Sequence, residues 1–374
     1  MIDSTRFTSG ITVGTQPPLG RINLLTRVAA RTGFDVAWVT DHFLGFFPRS
    51  IWDRDFSWAA SPGDSPHPYF DYQALMGYLA RRNLHIGVGV TEPIRRHPVL
   101  LAQFALTMSH LAKRAPILGI GSGERENVEP YGLPFVRPVS RLEEALQVIR
   151  LCFDSDGPID FSGEFFNLDR AVMDLRPQPG KEPQVWIAAH APRMLRLTGE
   201  YGDGWYPTFP MTPEEFESRL AVIRGHARRV GRDPAAIVPG WQLFAVIGKS
   251  TSHARELLDS PPVRFTSLLA PGYLWAKAGL EHPLGAEFGG MIDFVPQDYT
   301  KAQLQDAMGK VDLDVLSQVV IWGTPDSIAG QLQAYVDLGL RHLVLQPASA
   351  LVSRRDALFS LRASVSIQRR LRKG

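Results

Sequence analysis

The 374-residue sequence contains a single cysteine, Cys152. One thiol excludes an internal disulfide and fits a reducing compartment. No run approaches the roughly 20 apolar residues of a membrane span. Met1–Gly10 lacks the basic start and apolar core of a secretory signal, so a soluble, cytoplasmic chain is expected. Charge of one sign is missing too. Lys and Arg total 40 against 38 Asp and Glu, a net charge of +2. That balance carries no footprint for DNA or RNA, so no nucleic-acid partner is expected. The catalytic signatures H-E-x-x-H, C-x-x-C and G-x-S-x-G are absent. No His-x-His pair exists, and no metal site is expected. A first-strand turn of the G-x-G-x-x-G type is also missing: the sequence there reads Gly14-Thr15-Gln16-Pro17-Pro18.

What is present is a regular alternation. Hydrophobic residues make up 44% and charged residues 21%, an ordinary globular balance. Apolar runs at Phe7–Val13, Phe34–Thr40, Leu84–Val90, Ile117–Gly121, Val185–Ala189, Asp203–Tyr206, Trp241–Ile247 and His342–Gln346 predict strands. Helical periodicity fills the intervals, at Ile22–Thr32, Tyr72–Arg82, Val99–Leu111, Arg141–Phe153, Pro192–Tyr201, Glu214–Val230 and Pro325–Leu338. Strand–helix alternation without a dinucleotide turn favours a (β/α)8 TIM barrel over a doubly wound sheet. One α/β domain spans 1–374, with insertions after the second strand (about 44–68) and the seventh (about 261–313). Both follow strands, so in a barrel both sit over the active-site mouth.

Chemistry is sought at strand C-termini. Asp41-His42 ends the second strand, where histidine can exchange a proton near neutrality and a neighbouring acid can set its charge. A structural strand-end pair is the plainer alternative. Glu124 follows Gly121-Ser122-Gly123 after the fourth strand, and glycines there let a ligand approach the backbone. His190 follows the small residues Ala188 and Ala189, which leave room for a flat ligand or for close helix packing. Gly87-Val88-Gly89-Val90-Thr91 ends the third strand as a bulge or a plain buried strand. Tyr131 and Trp241 are pocket-lining candidates, although aromatic residues serve the core more often. The last stretch, 353–374, holds seven basic residues against Asp356. It reads as a barrel-closing helix with a solvated tail, or as a peripheral membrane contact.

These motifs accumulate. Val39-Thr40-Asp41-His42, Gly87–Thr91, Arg95-Arg96-His97-Pro98, Leu118–Glu124 and Trp186-Ile187-Ala188-Ala189 resemble the bacterial luciferase-like superfamily. Gly123–Glu126, Glu129–Gly132, Ala188–His190, Pro192–Leu195 and Glu281–Phe288 resemble its coenzyme F420-dependent branch, in particular the mycobacterial lipid ketoreductases. The resemblance implies hydride transfer between the deazaflavin and a ketone or secondary alcohol, including lipid ketones, at the barrel's C-terminal face. It implies a non-prolyl cis peptide within Val88–Val90. It implies His42 as the acid, Glu124 as second acid or ring partner, and Asp41 holding the imidazole. Val88, Gly89, Val90, Thr91, Gly123, Arg125, Asn127, Ala188, Ala189, His190 and Ala191 are then the expected cofactor contacts. Arg95, Arg125 and Arg193 are candidates for its anionic tail. Phe46 stands where sugar-phosphate dehydrogenases of the branch carry tryptophan, which implies a more apolar substrate site lined also by Tyr131 and Trp241. Relatives are often homodimers. An FMN-dependent monooxygenase on the same barrel is the alternative, and a non-catalytic cofactor- or lipid-binding barrel is a third reading. The aromatic stretch Phe43–Trp58 reads either as cover for a long lipid chain or as a lid packed on its own barrel.

Overall fold

Short apolar segments with no polar face are stable as strands only when both sides are covered. Val36–Val39, Ile117–Ile120 and Gln184–Ile187 are such segments, buried along their whole length. The computed structural model describes residues 1–61 and 63–373, so Pro62 of the first insertion and Gly374 of the basic tail lie outside the described residues. The barrel strands are Thr8–Thr12, Val36–Val39, His85–Thr91, Ile117–Ile120, Gln184–Ile187, Gly204–Trp205, Val238–Ile247 and His342–Pro347. Each pairs parallel with the next, and the eighth pairs with both the seventh and the first. The sheet therefore closes as the (β/α)8 barrel that the alternation predicts.

The helices between strands follow their predicted positions to within a few residues, including Leu19–Thr32, Pro98–Leu111, Pro138–Asp154 and Pro213–Arg229. Their ends have local causes. Gly33 closes the first helix with φ 95°, a conformation that costs glycine little. Thr212 and Glu215 form a reciprocal capping box at the start of Pro213–Arg229. The apolar faces of these helices join the outer faces of the strands in one continuous layer that includes Ile22, Leu101, Leu146, Ile187, Phe216 and Trp241.

The barrel lumen is filled by Trp38, Trp186, Tyr206, Val36, Ile117, Val238 and Val344. Trp38 stacks on Tyr206 at 4.6 Å between ring centres. Its indole N–H donates to His342 Nε2 at 3.1 Å. His342 is fully buried, and desolvation lowers its pKa to about 3, so the ring is neutral. Nε2 is the acceptor, so the proton sits on Nδ1, 2.8 Å from Thr8 Oγ1. Glycines on neighbouring strands make room for the two indoles. A Cβ at Gly87 would lie 2.7 Å from Trp38, and one at Gly240 would lie 2.9 Å from Trp186.

Three features depart from the sequence reading. An antiparallel hairpin, Ile159–Ser162 with Asn167–Ala171, precedes the fifth strand. Ile321–Gly323 adds a short strand beside the end of the seventh. The second insertion is helical: Pro261–Leu268, Gly272–Lys277 and Lys301–Gly309, with the flanking helices Thr251–Leu258 and Leu313–Val319, surround a second core containing Phe265, Trp275, Phe294 and Leu304. Ile51 and Phe56 of the first insertion join that core. Phe47 contacts Phe265 at 5.5 Å, and Trp58 Nε1 donates to Ala350 O at 2.9 Å. Most of Phe43–Trp58 thus packs on its own protein, which favours the lid reading over a lipid-covering one.

The basic C-terminal segment forms the helix Arg354–Leu371, whose buried face includes Ala363, Ile367 and Leu371. Arg370 pairs with Asp326, Arg372 with Asp35, and Arg354 lies over Trp58. Part of its charge is therefore spent inside the fold. Among the described residues no helix is long and apolar enough to cross a membrane.

The lumen analysis predicts opposite effects for two glycines. Gly87→Ala should destabilise by about 1–3 kcal/mol through overpacking against Trp38. Gly330→Ala, exposed in the helix Pro325–Asp337 with open space around it, should stabilise by roughly 0.5–1 kcal/mol. Urea melts of both variants check the pair; equal losses would contradict the packing argument.

Candidate active site

The mouth at the strand C-termini is organised by a buried carboxylate. Asp41 follows the second strand and accepts hydrogen bonds from Thr91 Oγ1 at 2.6 Å and Arg96 Nη1 at 2.6 Å. Arg95 Nη2 lies 3.1 Å from the same carboxylate, and Arg95 Nε donates to Glu92 Oε1 at 2.5 Å. Arg96 also stacks on Tyr72. These bonds lock the end of the second strand to the turn after the third. Asp41 does not touch the imidazole of His42, contrary to expectation. Its lone pairs are taken by the two guanidinium groups, which outcompete a neutral ring for a buried carboxylate.

The imidazole is held from the fourth strand instead. His42 Nδ1 lies 3.0 Å from Glu126 Oε1, 2.9 Å from Asn127 Nδ2 and 4.0 Å from Glu124 Oε2. Asn127 Oδ1 accepts from the backbone N–H of Phe43 at 2.7 Å, which fixes the amide with its NH2 toward His42. The single turn Arg125–Asn127 brings Glu124 and Asn127 round to the same side. The hydrogen bonds of the His42 ring all fall on Nδ1, and Nε2 has no partner among the described residues. Phe46 meets the ring edge-on at 5.4 Å, and Tyr69 lies at 5.6 Å. Phe46 therefore stands beside His42. Tyr131 is half-exposed and packs on Phe43 at 4.5 Å, at the rim.

Electrostatics follow from burial. Desolvation raises the Glu124 carboxyl to about 7, with His42 opposing and Glu126 reinforcing the shift. Glu126 has no exposed surface, and burial pushes it well above the ordinary carboxylate range. Its Oε2 and Arg95 Nη1 have no hydrogen-bond partner among the described residues. Tyr69 is raised by burial and by the facing glutamates. His190 is lowered to about 4 by burial, and its Nε2 accepts from Thr208 N–H at 3.3 Å.

The third strand ends in a cis peptide between Gly89 and Val90, within the expected Val88–Val90, and its register against the fourth strand shifts there. A Cβ at Gly121 would meet Val90 at 3.1 Å and Ala188 at 3.7 Å, so these three small or branched residues form one wall. Tyr206 underlies the bulge: a Cβ at Gly89 would lie 3.2 Å from its ring. Gly123 adopts φ 95° and passes over Glu92. The wall fits a flat ring system, because it presents backbone and short side chains.

Several expected contacts lie elsewhere. Val88 and Ala189 are fully buried in the outer layer, and Thr91 is buried on Asp41, so their side chains do not face a ligand. Trp241 is in the same layer, stacked on Phe216 with its N–H donating to Phe209 O. Alternation along its strand points it outward, and large aromatic residues complete that layer. Arg95 is buried on Asp41 and Glu92 and is withdrawn from any anionic tail. Arg125 pairs with Asp293 and Glu129, and Arg193 with Glu143, but both remain partly exposed. Ala191 is exposed at the start of Pro192–Tyr201. Sequence reasoning missed Glu126 and Arg96 as functional candidates. The available signal was the density of charge in Gly123-Glu124-Arg125-Glu126-Asn127 and in Arg95-Arg96 beside strand ends.

The chain is similar to known proteins over most of its length. The family model for luciferase-like monooxygenases matches residues 2–342. The chain is 38% identical to the phthiodiolone/phenolphthiodiolone dimycocerosates ketoreductase of Mycobacterium kansasii over 322 residues, 85% of this chain and 88% of that protein. It is 23% identical to 5,10-methylenetetrahydromethanopterin reductase of Methanopyrus kandleri over 340 residues, 87% of this chain and 88% of that one. Among solved structures it is similar to an F420-dependent secondary alcohol dehydrogenase in complex with an F420-acetone adduct. That likeness has a TM-score of 0.69 at 20% identity and covers 92% of this chain and 94% of that chain.

Two outcomes follow from these charges. Asp41→Asn leaves two buried guanidinium groups short of charge and should cost roughly 3–5 kcal/mol in a urea melt. Glu124 carries a raised folded-state pKa, so its contribution is fully present below the unfolded carboxylate pKa. It is lost as pH rises toward about 7. Stability measured across that window should fall less steeply in Glu124→Gln than in the unsubstituted chain; parallel curves would remove the buried-acid assignment.

Proposed function

The chain belongs to the luciferase-like monooxygenase family and is an oxidoreductase, and on that premise we propose that it transfers hydride between coenzyme F420 and a ketone or secondary alcohol. The observation that carries the reading is His42, whose Nε2 is unpartnered among the described residues, at the same strand ends that carry the wall of Val90, Gly121 and Ala188. The relatives whose names include F420, or a reductase or ketoreductase activity, support it.

When bound, the deazaflavin supplies the hydride; the hard chemistry is the cofactor's. The chain orients and supplies the proton. Val90, Gly121, Gly123, Ala188 and the backbone at Gly89 form the surface for the ring. Arg125 and Arg193, partly exposed, are the candidates for an anionic tail. As a carbonyl is reduced, negative charge grows on its oxygen, and His42 Nε2–H meets that charge as the acid. Phe46, Phe43 and Tyr131 give the substrate side an apolar surface. That surface suits a ketone carried on a hydrocarbon chain, and a lipid ketone is the substrate class proposed. FMN in place of the deazaflavin is the competing reading.

Purified protein titrated separately with F420 and FMN, followed by a ketone screen with the reduced deazaflavin, tests this. F420 binding and ketone reduction are expected. His42→Ala should lower kcat by about 10²–10⁴-fold while F420 still binds. Preference for FMN, or near-normal turnover by His42→Ala, would overturn the assignment.

A further inference from the structure

Behind His42 lies a carboxyl that the proposed reaction does not use. Glu126 has no exposed side-chain surface, and one of its oxygens is 3.0 Å from His42 Nδ1. The other oxygen is unpartnered among the described residues. Ligand atoms of His42, Glu124 and Glu126 fall within 4.8 Å of one another, a spacing that could hold a metal ion. Asn127 argues against a cation. Its Nδ2 is 2.9 Å from both His42 Nδ1 and Glu126 Oε1. Its oxygen is already occupied by Phe43 N–H, so its own hydrogens point into the cluster. A donor amide among those lone pairs repels a cation and suits a proton.

We infer that Glu126 is a positioning residue for His42: it holds Nδ1 from behind and carries the proton that reaches Nδ1 as Nε2 gives its own to the carbonyl oxygen. The inference rests on the hydride-transfer reading above. In the step, the carbonyl carbon accepts hydride and its electron pair from the reduced deazaflavin. The Nε2–H bond breaks and the alcohol O–H bond forms. The Glu126 O–H bond breaks and the Nδ1–H bond forms. The imidazole ends neutral with its proton on the other nitrogen, and Glu126 ends as a carboxylate. Without that transfer His42 would be left as an imidazolate, which a buried site disfavours.

Burial supports the starting state, because it holds Glu126 protonated. The charged and titratable groups facing the pair are Glu124 on the same loop, Arg95 and Glu92 from the turn after the third strand, Tyr69 from the end of the first insertion, and Tyr131. Glu124 is partly exposed and 4.0 Å from Nδ1. It is the group placed to return a proton from solvent.

Two readouts test the inference on the full chain. The infrared difference between the unsubstituted apo-protein and Glu126→Gln near neutral pH should show a protonated-carboxyl band that the variant lacks. In turnover, Glu126→Gln should lower kcat about 100-fold, with F420 affinity and ketone KM held within about twofold. The high-pH fall of kcat should move to lower pH, because the variant has no acid to replenish Nδ1. A missing band, or an unchanged kcat and pH profile, would overturn the inference; the hydride-transfer reading would still stand if His42→Ala abolished turnover. Failure of the unsubstituted protein to reduce any ketone with reduced F420 would overturn both. If Glu126→Gln does not fold, Glu126→Asp replaces it. That variant should keep the band and the high-pH limb, and loss of both would sink the proton-carrying role.

Discussion

Asp41 is the constraint on which the mouth of this barrel depends. A carboxylate buried to that degree survives only with full charge compensation. Here two consecutive arginines and a threonine hydroxyl supply it. Those partners come from the third strand and its turn, while Asp41 comes from the second. The ion cluster therefore sets the separation of two strand ends and the direction in which the next residue, His42, leaves the barrel wall. The imidazole can then be held by residues of the fourth strand's loop. The geometry of the candidate site is a consequence of how charges are neutralised one layer below it.

The same layering explains the flat wall. Two indoles and Tyr206 fill the lumen beneath the site, and glycines on adjacent strands make way for them. The end of the third strand lies over that filling, with Gly89 against Trp38 and Tyr206. It bulges at Gly89–Val90 and brings Val90 against Gly121 and Ala188. A rigid, close-packed floor of this kind gives a ring system a fixed surface. The insertions are tied to each other by aromatic contacts and by the Lys301–Asp53 pair. They form a second core beside the mouth rather than a free flap.

Within that frame the acid groups divide their tasks by environment. Glu124 stays in touch with solvent and is shifted to near neutrality, while Glu126 is sealed and held protonated. Two carboxyls separated by one residue thus differ in what they can do with a proton. His42 Nδ1 faces both of them. Its inner nitrogen is committed to Glu126 and Asn127, and its outer nitrogen is available.

The barrel itself was legible in the sequence. Strand segments such as Val36–Val39 and Ile117–Ile120 are apolar without interruption, and that pattern is stable only between two layers of helices. The turn glycines and the strand-end position of His42 and Glu124 were legible for the same local reasons. The hairpin at 159–171 was not, because its strands are short and largely exposed and carry little apolar periodicity. Nor was the helical character of the second insertion, whose short helices draw their stability from a shared core. Asp41 precedes His42 in the chain, and adjacency suggested that one holds the other. Only tertiary structure decides which partners a side chain meets. It gave Asp41 to Arg95 and Arg96, gave His42 to Glu126, and turned Trp241 outward. Periodicity records which face of a segment is apolar; the distance between residues far apart in the chain arises only when the sheet closes.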